Sequence, residues 1–133
     1  MERQPIRVMV AEDIPLLRED FCDIVSRAPG MEVAGCAATG QEITRLARET
    51  DCDIILMDIE METMQAGITA AEAIHRDKPE VKIIFLTAHE TEDIILSAMA
   101  SGAVDYVVKG CDDEVLLEHI RRAHAGRPAL EQQ

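Results

Sequence analysis

Aromatic side chains and positive charge are both scarce in this sequence. Phenylalanine, tyrosine and tryptophan together make up 2% of the 133 residues, and tryptophan is absent. Surfaces that stack against sugars or nucleobases need such rings, so the composition argues against carbohydrate and single-stranded nucleic-acid binding. Lysine and arginine number 13 against 26 acidic residues, which gives a net charge of -13. A chain this acidic repels phosphate backbones and anionic lipids, so we expect it to bind neither DNA nor membranes by itself.

Long hydrophobic runs and closely spaced cysteines are missing as well. No apolar run reaches the ~18 residues that cross a bilayer, and the N-terminus lacks the profile of a signal peptide. We therefore expect a cytoplasmic protein. The cysteines form no CxxC pair, which favours reduced, mostly buried thiols over a metal or disulfide site. They are Cys22, Cys36, Cys52 and Cys111.

Strand-like and helix-like segments alternate along the chain. The length fits one domain, and 47% hydrophobic residues is enough for a core. Short apolar runs predict five strands, at residues 6–11, 31–37, 53–57, 81–86 and 104–108. Helical spacing predicts helices from Pro15 to the Pro29-Gly30 stop, from Thr39-Gly40 onward, and over 69–76, 91–100 and 112–125.

Repeated βα units imply a parallel sheet with helices on both faces, which is an α/β fold. Asp13 is a plausible N-cap for the helix that begins at Pro15. We expect residues 1–125 to form the domain, and residues 126–133 to be a tail or the start of a linker.

Chemically active side chains follow four of the five predicted strands. Because the carboxyl ends of parallel strands meet at one edge of a sheet, we expect these side chains to share one cleft. They are Glu12 and Asp13 after the first strand, Asp58 after the third, Thr87 after the fourth, and Lys109 after the fifth. Ala88, next to Thr87, is small enough for its backbone N–H to approach a ligand in this cleft.

The chemistry of this set points to phosphoryl transfer. Three crowded carboxylates repel one another, and a hard cation such as Mg2+ would relieve the repulsion. Asp58, at the tip of the central strand, is the natural nucleophile, since a carboxylate can form an acyl phosphate. Lys109 and the cation would neutralise the transferred group. Each residue alone could be a helix cap or a turn residue, but their convergence in one cleft favours function.

Four short segments carry a family resemblance. They are Glu12-Asp13, Met57-Asp58-Ile59, Leu86-Thr87-Ala88 and Val108-Lys109. Together they resemble the receiver domain of two-component response regulators, over Ile6 to about Ala125. The resemblance implies a flavodoxin-like (βα)5 three-layer sandwich with a parallel five-stranded sheet in the order 2-1-3-4-5. It also implies that Asp58 accepts a phosphoryl group from a sensor histidine kinase, in a reaction that the receiver itself catalyses.

The same resemblance assigns the surrounding residues. It implies that Mg2+ is held by Asp13, Asp58 and the backbone carbonyl of Glu60, with Glu12 in a supporting position. It implies that the phosphoryl oxygens are bound by Thr87, Ala88 and Lys109.

Tyr106, three residues before Lys109, occupies a position that the resemblance links to switching. In receivers an aromatic residue there turns inward when the threonine equivalent to Thr87 moves toward the phosphate. The alternative is a half-buried strand aromatic whose hydroxyl stays in water. The implied output face is the fourth helix, fifth strand and fifth helix, and a phosphorylation-dependent homodimer through that face is a hypothesis.

The sequence departs from the family pattern in three features, two of them in the loop after Asp58. A proline usually stands four residues after the aspartate, and this chain has Glu62; the usual glycine is Gly67, nine residues on instead of eight. The loop is therefore one residue longer. Lys109 is followed by Gly110 where proline is usual and the peptide is commonly cis, so the isomer of this bond stays open. A Lys-Gly pair occurs in receivers of LuxR-type DNA-binding regulators, and residues 121–128 resemble the end of such receivers.

We therefore expect a receiver that controls a DNA-binding transcriptional output domain absent from this chain. One alternative is a stand-alone receiver that acts through protein contacts, with either a working or an idle site. Another is an aspartyl-nucleophile phosphatase similar to haloacid dehalogenases, which need a second aspartate where this chain has Glu60. Glu60 and His89 could tune loss of the phosphoryl group, or could be solvated side chains at a loop mouth.

Overall fold

The computed structural model describes residues 4–126, in which five strands alternate with five helices. The strands are β1 (Ile6–Ala11), β2 (Met31–Ala37), β3 (Ile54–Asp58), β4 (Lys82–Thr87) and β5 (Asp105–Val108). The helices are α1 (Pro15–Arg27), α2 (Gly40–Glu49), α3 (Ala66–Asp77), α4 (Glu92–Ala100) and α5 (Asp113–His124). Among these residues, no helix is both long and apolar enough to cross a membrane.

The strands form one parallel sheet in the order β2-β1-β3-β4-β5. This confirms the predicted flavodoxin-like α/β fold. The central strand β3 is buried along its whole length, as its nearly continuous apolar sequence predicts for a strand covered on both faces. Asp58 is the last residue of β3, so its side chain lies at the middle of the sheet's carboxyl edge.

Two hydrophobic layers hold the helices against the sheet. Side chains of a strand alternate between its faces, so Ile55 and Leu56 enter different layers. The layer around Ile55 contains apolar residues of α2, α3 and α4. The layer around Leu56 contains those of α1 and α5. This arrangement is a three-layer sandwich, and it leaves the carboxyl edge of the sheet free to hold a site.

The first helix begins differently from the prediction. Its N-cap is Ile14, with no capping side chain, so the prediction that Asp13 caps α1 is wrong. Pro15 does lie at the start of the helix, where its fixed φ angle is compatible with helical structure and its missing N–H costs nothing. The Ile14 N–H donates instead to Glu12 Oε2 at 3.3 Å. The Asp13 carboxylate is thereby left exposed at the sheet edge.

Helix α3 begins at Ala66, three residues before the predicted start. Gly67 lies directly on the end of β3: a Cβ at this position would stand 2.0 Å from the carbonyl oxygen of Asp58. Helical spacing missed this first turn because Ala66 and Gly67 add little to an apolar stripe. The position accommodates only glycine, because the helix backbone touches the strand end.

The cysteines are free thiols, but the prediction that they are mostly buried is wrong. Cys36 is exposed and the other three are partly exposed. Burial and the hydrogen bond with the neighbouring Cys36 together raise the pKa of Cys22 to about 12. The raised pKa disfavours the reactive thiolate form of Cys22 at neutral pH. The predicted tail, residues 126–133, lies outside the described residues except for Gly126.

Candidate functional site

Three carboxylates from two strand ends converge at the carboxyl edge of the sheet. Glu12, Asp13 and Asp58 each offer one oxygen atom, and these oxygens lie within 4.8 Å of one another. Lys109, from the end of β5, reaches into the same group. Its Nζ lies 2.8 Å from Glu12 Oε1 and 2.9 Å from Asp58 Oδ1. Lys109 thus contacts Glu12 and Asp58, and Asp13 completes the cluster of carboxylates that the sequence predicts for one cleft.

A cleft of about 380 Å³ opens above this group. Asp13 and Asp58 line it from one side, and Thr87, Ala88 and Lys109 line it from the other strands. Glu12 is fully buried and lies outside the lining of the cleft. The cleft also takes in residues of the loop that follows β3 and of the loop before α4, namely Ile59, Glu60, Met61 and His89.

Burial and crowding set the charges of the site. Burial, together with the hydrogen bond and charge of Glu12, raises the pKa of Asp58 to about 7 against the opposing effect of Lys109. Burial acts the same way on Glu12, but hydrogen bonds with Asp58 and Lys109 lower its pKa below the usual value. Burial opposes the charge of Lys109, whereas its two acidic partners raise its pKa. A second cation would therefore stabilise the ionised form of the site, because one ammonium group faces two buried carboxyls.

Thr87 is engaged within its own loop. Its hydroxyl donates to the carbonyl of His89 at 2.7 Å and accepts from the His89 N–H at 3.2 Å. Tyr106 is half-buried and packs against the apolar layer that contains Ile55. Burial raises the pKa of Tyr106, and the charges of Glu90 and Asp105 act in the same direction. The threonine and tyrosine that the resemblance pairs as a switch are thus on the two neighbouring strands β4 and β5.

The chain turns sharply after Lys109. The Lys109 N–H donates to the carbonyl of Thr87 at 2.7 Å, which fixes the end of β5 against β4. Gly110 follows with a φ of +89°, a conformation that favours glycine and that the proline ring forbids. All peptide bonds of residues 4–126 are trans, so the bond between Lys109 and Gly110 is trans as well. The departure from the usual proline therefore has a geometric reason.

Residues 8–121 match the family of response regulator receiver domains. The chain belongs to this family. The curated relatives include the transcriptional regulatory protein YxjL of Bacillus subtilis (strain 168), which is 39% identical over 95% of this chain. The nitrate/nitrite response regulator protein NarP of Escherichia coli (strain K12) is 35% identical over 94% of it. The match spans 57% of YxjL and 58% of NarP, so the receiver corresponds to little more than half of each relative.

A solved structure supports the same assignment. The LuxR-family two-component response regulator from Aurantimonas sp. SI85-9A1 is 32% identical, and the match covers 97% of this chain and 94% of that one. The two structures superpose with a TM-score of 0.86. The predicted likeness to receivers of LuxR-type regulators is therefore confirmed. The haloacid dehalogenase alternative has no support among these matches.

The receiver's acidic group has the chemistry that Mg2+ requires. Its donors are carboxylate oxygens, which are hard ligands, and Asp13 is exposed so that bound water could complete the coordination. The Lys109 ammonium in contact with Glu12 and Asp58 shows that positive charge is stabilised there. The residues present therefore fit a magnesium ion.

Two contacts of the receiver site had no signal in the sequence. Arg18 of α1 donates from Nη1 to the Glu12 carbonyl at 2.9 Å and so fixes the β1–α1 loop. Glu62 accepts from the N–H groups of Gly40 and Gln41 at 2.7 Å and 3.1 Å, which ties the lengthened loop after Asp58 to α2. The departure at residue 62 was visible in the sequence, but its partners lie about 20 residues away along the chain.

Proposed function

We propose that this receiver accepts a phosphoryl group on Asp58 in a Mg2+-dependent reaction. The donor is a phosphohistidine of a sensor histidine kinase, or a small acyl phosphate in its place. The observation that carries the proposal is the position of Asp58: a buried carboxyl at the central strand end, 2.9 Å from the Lys109 ammonium and facing an open cleft. A nucleophile with a cation beside it and space above it is what phosphoryl transfer needs.

The proposed chemistry assigns one task to each side chain. An Asp58 carboxylate oxygen attacks phosphorus, and the new P–O bond forms as the bond from phosphorus to the donor nitrogen breaks, leaving neutral imidazole after protonation. The Lys109 ammonium neutralises charge on the phosphoryl oxygens. Mg2+, held by Asp13, Asp58 and the Glu60 carbonyl with Glu12 in support, would supply positive charge opposite Lys109. The Thr87 hydroxyl and the Ala88 N–H donate to the remaining oxygens.

The proposed output follows from the same charge. Phosphorylation adds about -1.5 to -2 charges at Asp58, which attracts the Thr87 hydroxyl away from its bond with His89. Loss of that bond frees the loop before α4 and gives Tyr106 room to turn inward. The changed surface is the face formed by α4, β5 and α5. We infer that this face controls a DNA-binding output domain outside the chain, as the names of its relatives suggest, and that the receiver works in the cytoplasm beside its kinase.

The first experiment is intact mass after incubation with acetyl phosphate and Mg2+. We expect one added phosphoryl group in the wild type, loss of the adduct with EDTA, and no adduct on Asp58→Ala. Asp51→Ala is the matched control, since this exposed aspartate lies just before the same strand and should leave the reaction unchanged. An adduct that persists in Asp58→Ala would contradict the proposal. Turnover of a generic phosphate ester would favour a phosphatase instead.

A second experiment tests the output. The mass of the native protein in its source cells separates a longer regulator from a stand-alone receiver of 14.7 kDa. We expect the longer form, and we expect the receiver alone to leave a DNA duplex unshifted in a gel. A native mass equal to that of this chain would contradict the transcriptional output and favour protein–protein contacts.

A further inference from the structure

The loop between β3 and α3 carries Glu60 past the acidic group. Its two ends are fixed. Asp58 at the start is the last residue of β3, and Gly67 in the first turn of α3 donates its N–H to the Ile59 carbonyl at 2.8 Å. Within the loop, the Met61 N–H donates to the carbonyl of Thr63 at 3.1 Å. That bond is local and does not relate the loop to the rest of the domain. Ile59 and Met61, on either side of Glu60, pack against the apolar layer around Ile55. The position of Glu60 therefore depends on this packing and on the polar contacts of residues 59–65.

Glu62 adds a polar connection from this loop to another element. Its Oε1 accepts from the Gly40 N–H at 2.7 Å, and its Oε2 accepts from the Gln41 N–H at 3.1 Å. These donors belong to the first turn of α2, where backbone N–H groups have no partner within the helix. A carboxylate at that end is also favoured by the helix dipole. The loop is thus held at its middle by a two-oxygen contact with a ten-residue helix.

Helix α2 has a separate cap that does not involve the loop. The Thr39 hydroxyl accepts from the Glu42 N–H at 3.0 Å, and Glu42 Oε1 accepts from the Ala38 N–H at 2.7 Å. The helix therefore begins at the same place with or without Glu62. What the Glu62 carboxylate adds is a fixed position for the loop, two residues from Glu60.

We propose that Glu62 is a positioning residue of the receiver site. By binding the first turn of α2, it holds the loop after Asp58 so that Glu60 stays in place to serve the cation, and it thereby raises the affinity of the site for Mg2+. The role rests on the proposed function, in which the Glu60 carbonyl is a ligand. Residues that orient metal ligands act in this way even though they do not touch the ion.

Calorimetric titration of Mg2+ into the metal-free protein tests the role. We expect Glu62→Ala to weaken binding by roughly tenfold, the low end of the usual effect of residues that orient metal ligands. Glu62→Gln keeps one of the two acceptor oxygens and should fall between Glu62→Ala and the wild type. The matched control is Thr39→Ala, which removes the cap of α2 but no contact of the loop. It should lower the unfolding midpoint and leave the Mg2+ dissociation constant unchanged.

Hydrogen exchange of the metal-free protein gives a readout that needs neither Mg2+ nor phosphate. Glu62→Ala should speed exchange at the Met61 and Gly67 amides, whereas Thr39→Ala should not. Folded Glu62→Ala with wild-type Mg2+ affinity would overturn the role, as would equal weakening by Thr39→Ala. If the wild type binds Mg2+ but Asp58 is never phosphorylated, the proposed function fails while the comparison of variants still decides the role of Glu62. If the wild type binds no Mg2+, both fail.

Discussion

At the scale of single residues, the site is a balance of charges at Asp58. Three carboxyls and one ammonium group share a small volume, and only Asp13 among them is exposed. The carboxyl of Asp58 is nearly buried, and its pKa of about 7 lies well above the ordinary value of 3.8. Without a second cation, Asp58 of the folded protein therefore keeps its proton at pH values between 3.8 and about 7, where the unfolded chain has released it.

The raised pKa of Asp58 predicts a stabilising substitution. Between pH 3.8 and about 7 the folded state binds more protons than the unfolded state, so the contribution of this group to stability falls as pH rises. Because asparagine does not ionise, Asp58→Asn removes this pH-dependent loss of stability. In urea unfolding at pH 8 with EDTA, we expect it to stabilise the protein by about 1 kcal/mol or more, since one pKa unit corresponds to ~1.4 kcal/mol. Asp13→Asn, at an exposed carboxyl, should have a smaller effect. Equal or lower stability of Asp58→Asn would contradict the burial argument.

At the scale of secondary structure, close approaches between elements fix the site. Helix α3 touches the end of β3 through Gly67, and α5 is attached to β5 through a buried carboxylate. Asp105 is 1% exposed, and its side chain accepts from the Tyr106 N–H at 2.8 Å and lies 2.6 Å from His119 Nδ1. The Gly67 contact lies at Asp58, and the Asp105 contact lies next to Tyr106. Each of them holds a covering helix against a strand of the sheet.

Substitution of Gly67 by alanine should disturb the end of β3. A Cβ would stand 2.0 Å from the Asp58 carbonyl oxygen, and backbone atoms cannot move aside cheaply. We expect a loss of about 1–3 kcal/mol in the free energy of unfolding, the usual cost of overpacking. Gly35→Ala is the control, because its nearest neighbour is the flexible end of Leu46. Equal losses at the two positions would show that the contact with β3 is not special.

Loss of His119 should destabilise the junction of β5 and α5. His119→Ala leaves the buried carboxylate of Asp105 with one oxygen unpaired, which costs about 1–3 kcal/mol. The matched control is His124→Ala, an exposed histidine on the same helix, for which we expect a change within about 0.5 kcal/mol. Urea unfolding of the two variants measures the difference. Similar values would mean that water replaces His119 as the partner of Asp105.

At the scale of the whole molecule, exposed apolar side chains bear on the hypothesis that the phosphorylated receiver forms a homodimer. Leu96 and Met99 of α4 and Val115 of α5 are 57%, 49% and 43% exposed. These residues are on two of the elements of the proposed output face. Phosphorylation-dependent self-association through this face would cover them, with hydrophobic burial as the driving force.

Light scattering with Mg2+ and beryllofluoride, a phosphoryl mimic, checks the dimer hypothesis. We expect the mass to double in the wild type and to stay monomeric in Leu96→Asp, because a charge would be buried at the interface. Leu16→Asp is the control, since this leucine is 78% exposed but lies on α1, away from the output face. An unchanged mass in the wild type would contradict the hypothesis, and loss of the dimer in Leu16→Asp would place the interface elsewhere.

Local pattern in the sequence determined the alternation of elements and the residues at the strand ends. Strands and helices can be predicted from the spacing of apolar residues, because burial on one face imposes that spacing. The end of each strand then follows, and with it Glu12, Asp13, Asp58, Thr87 and Lys109. The family resemblance of these residues supplied the strand order. The start of α3 was missed because glycine and alanine carry little of that signal.

Only the tertiary structure decided the contacts between distant segments. Glu62 meets the first turn of α2, Arg18 meets the Glu12 carbonyl, and the Thr87 hydroxyl is directed to His89. Asp13 is a further case. Its position in the sequence suits an N-cap of α1, but in the structure the N-cap is Ile14. Such contacts depend on the path of a loop and on the direction of a side chain. Neither leaves a periodic pattern in the sequence, whereas burial does.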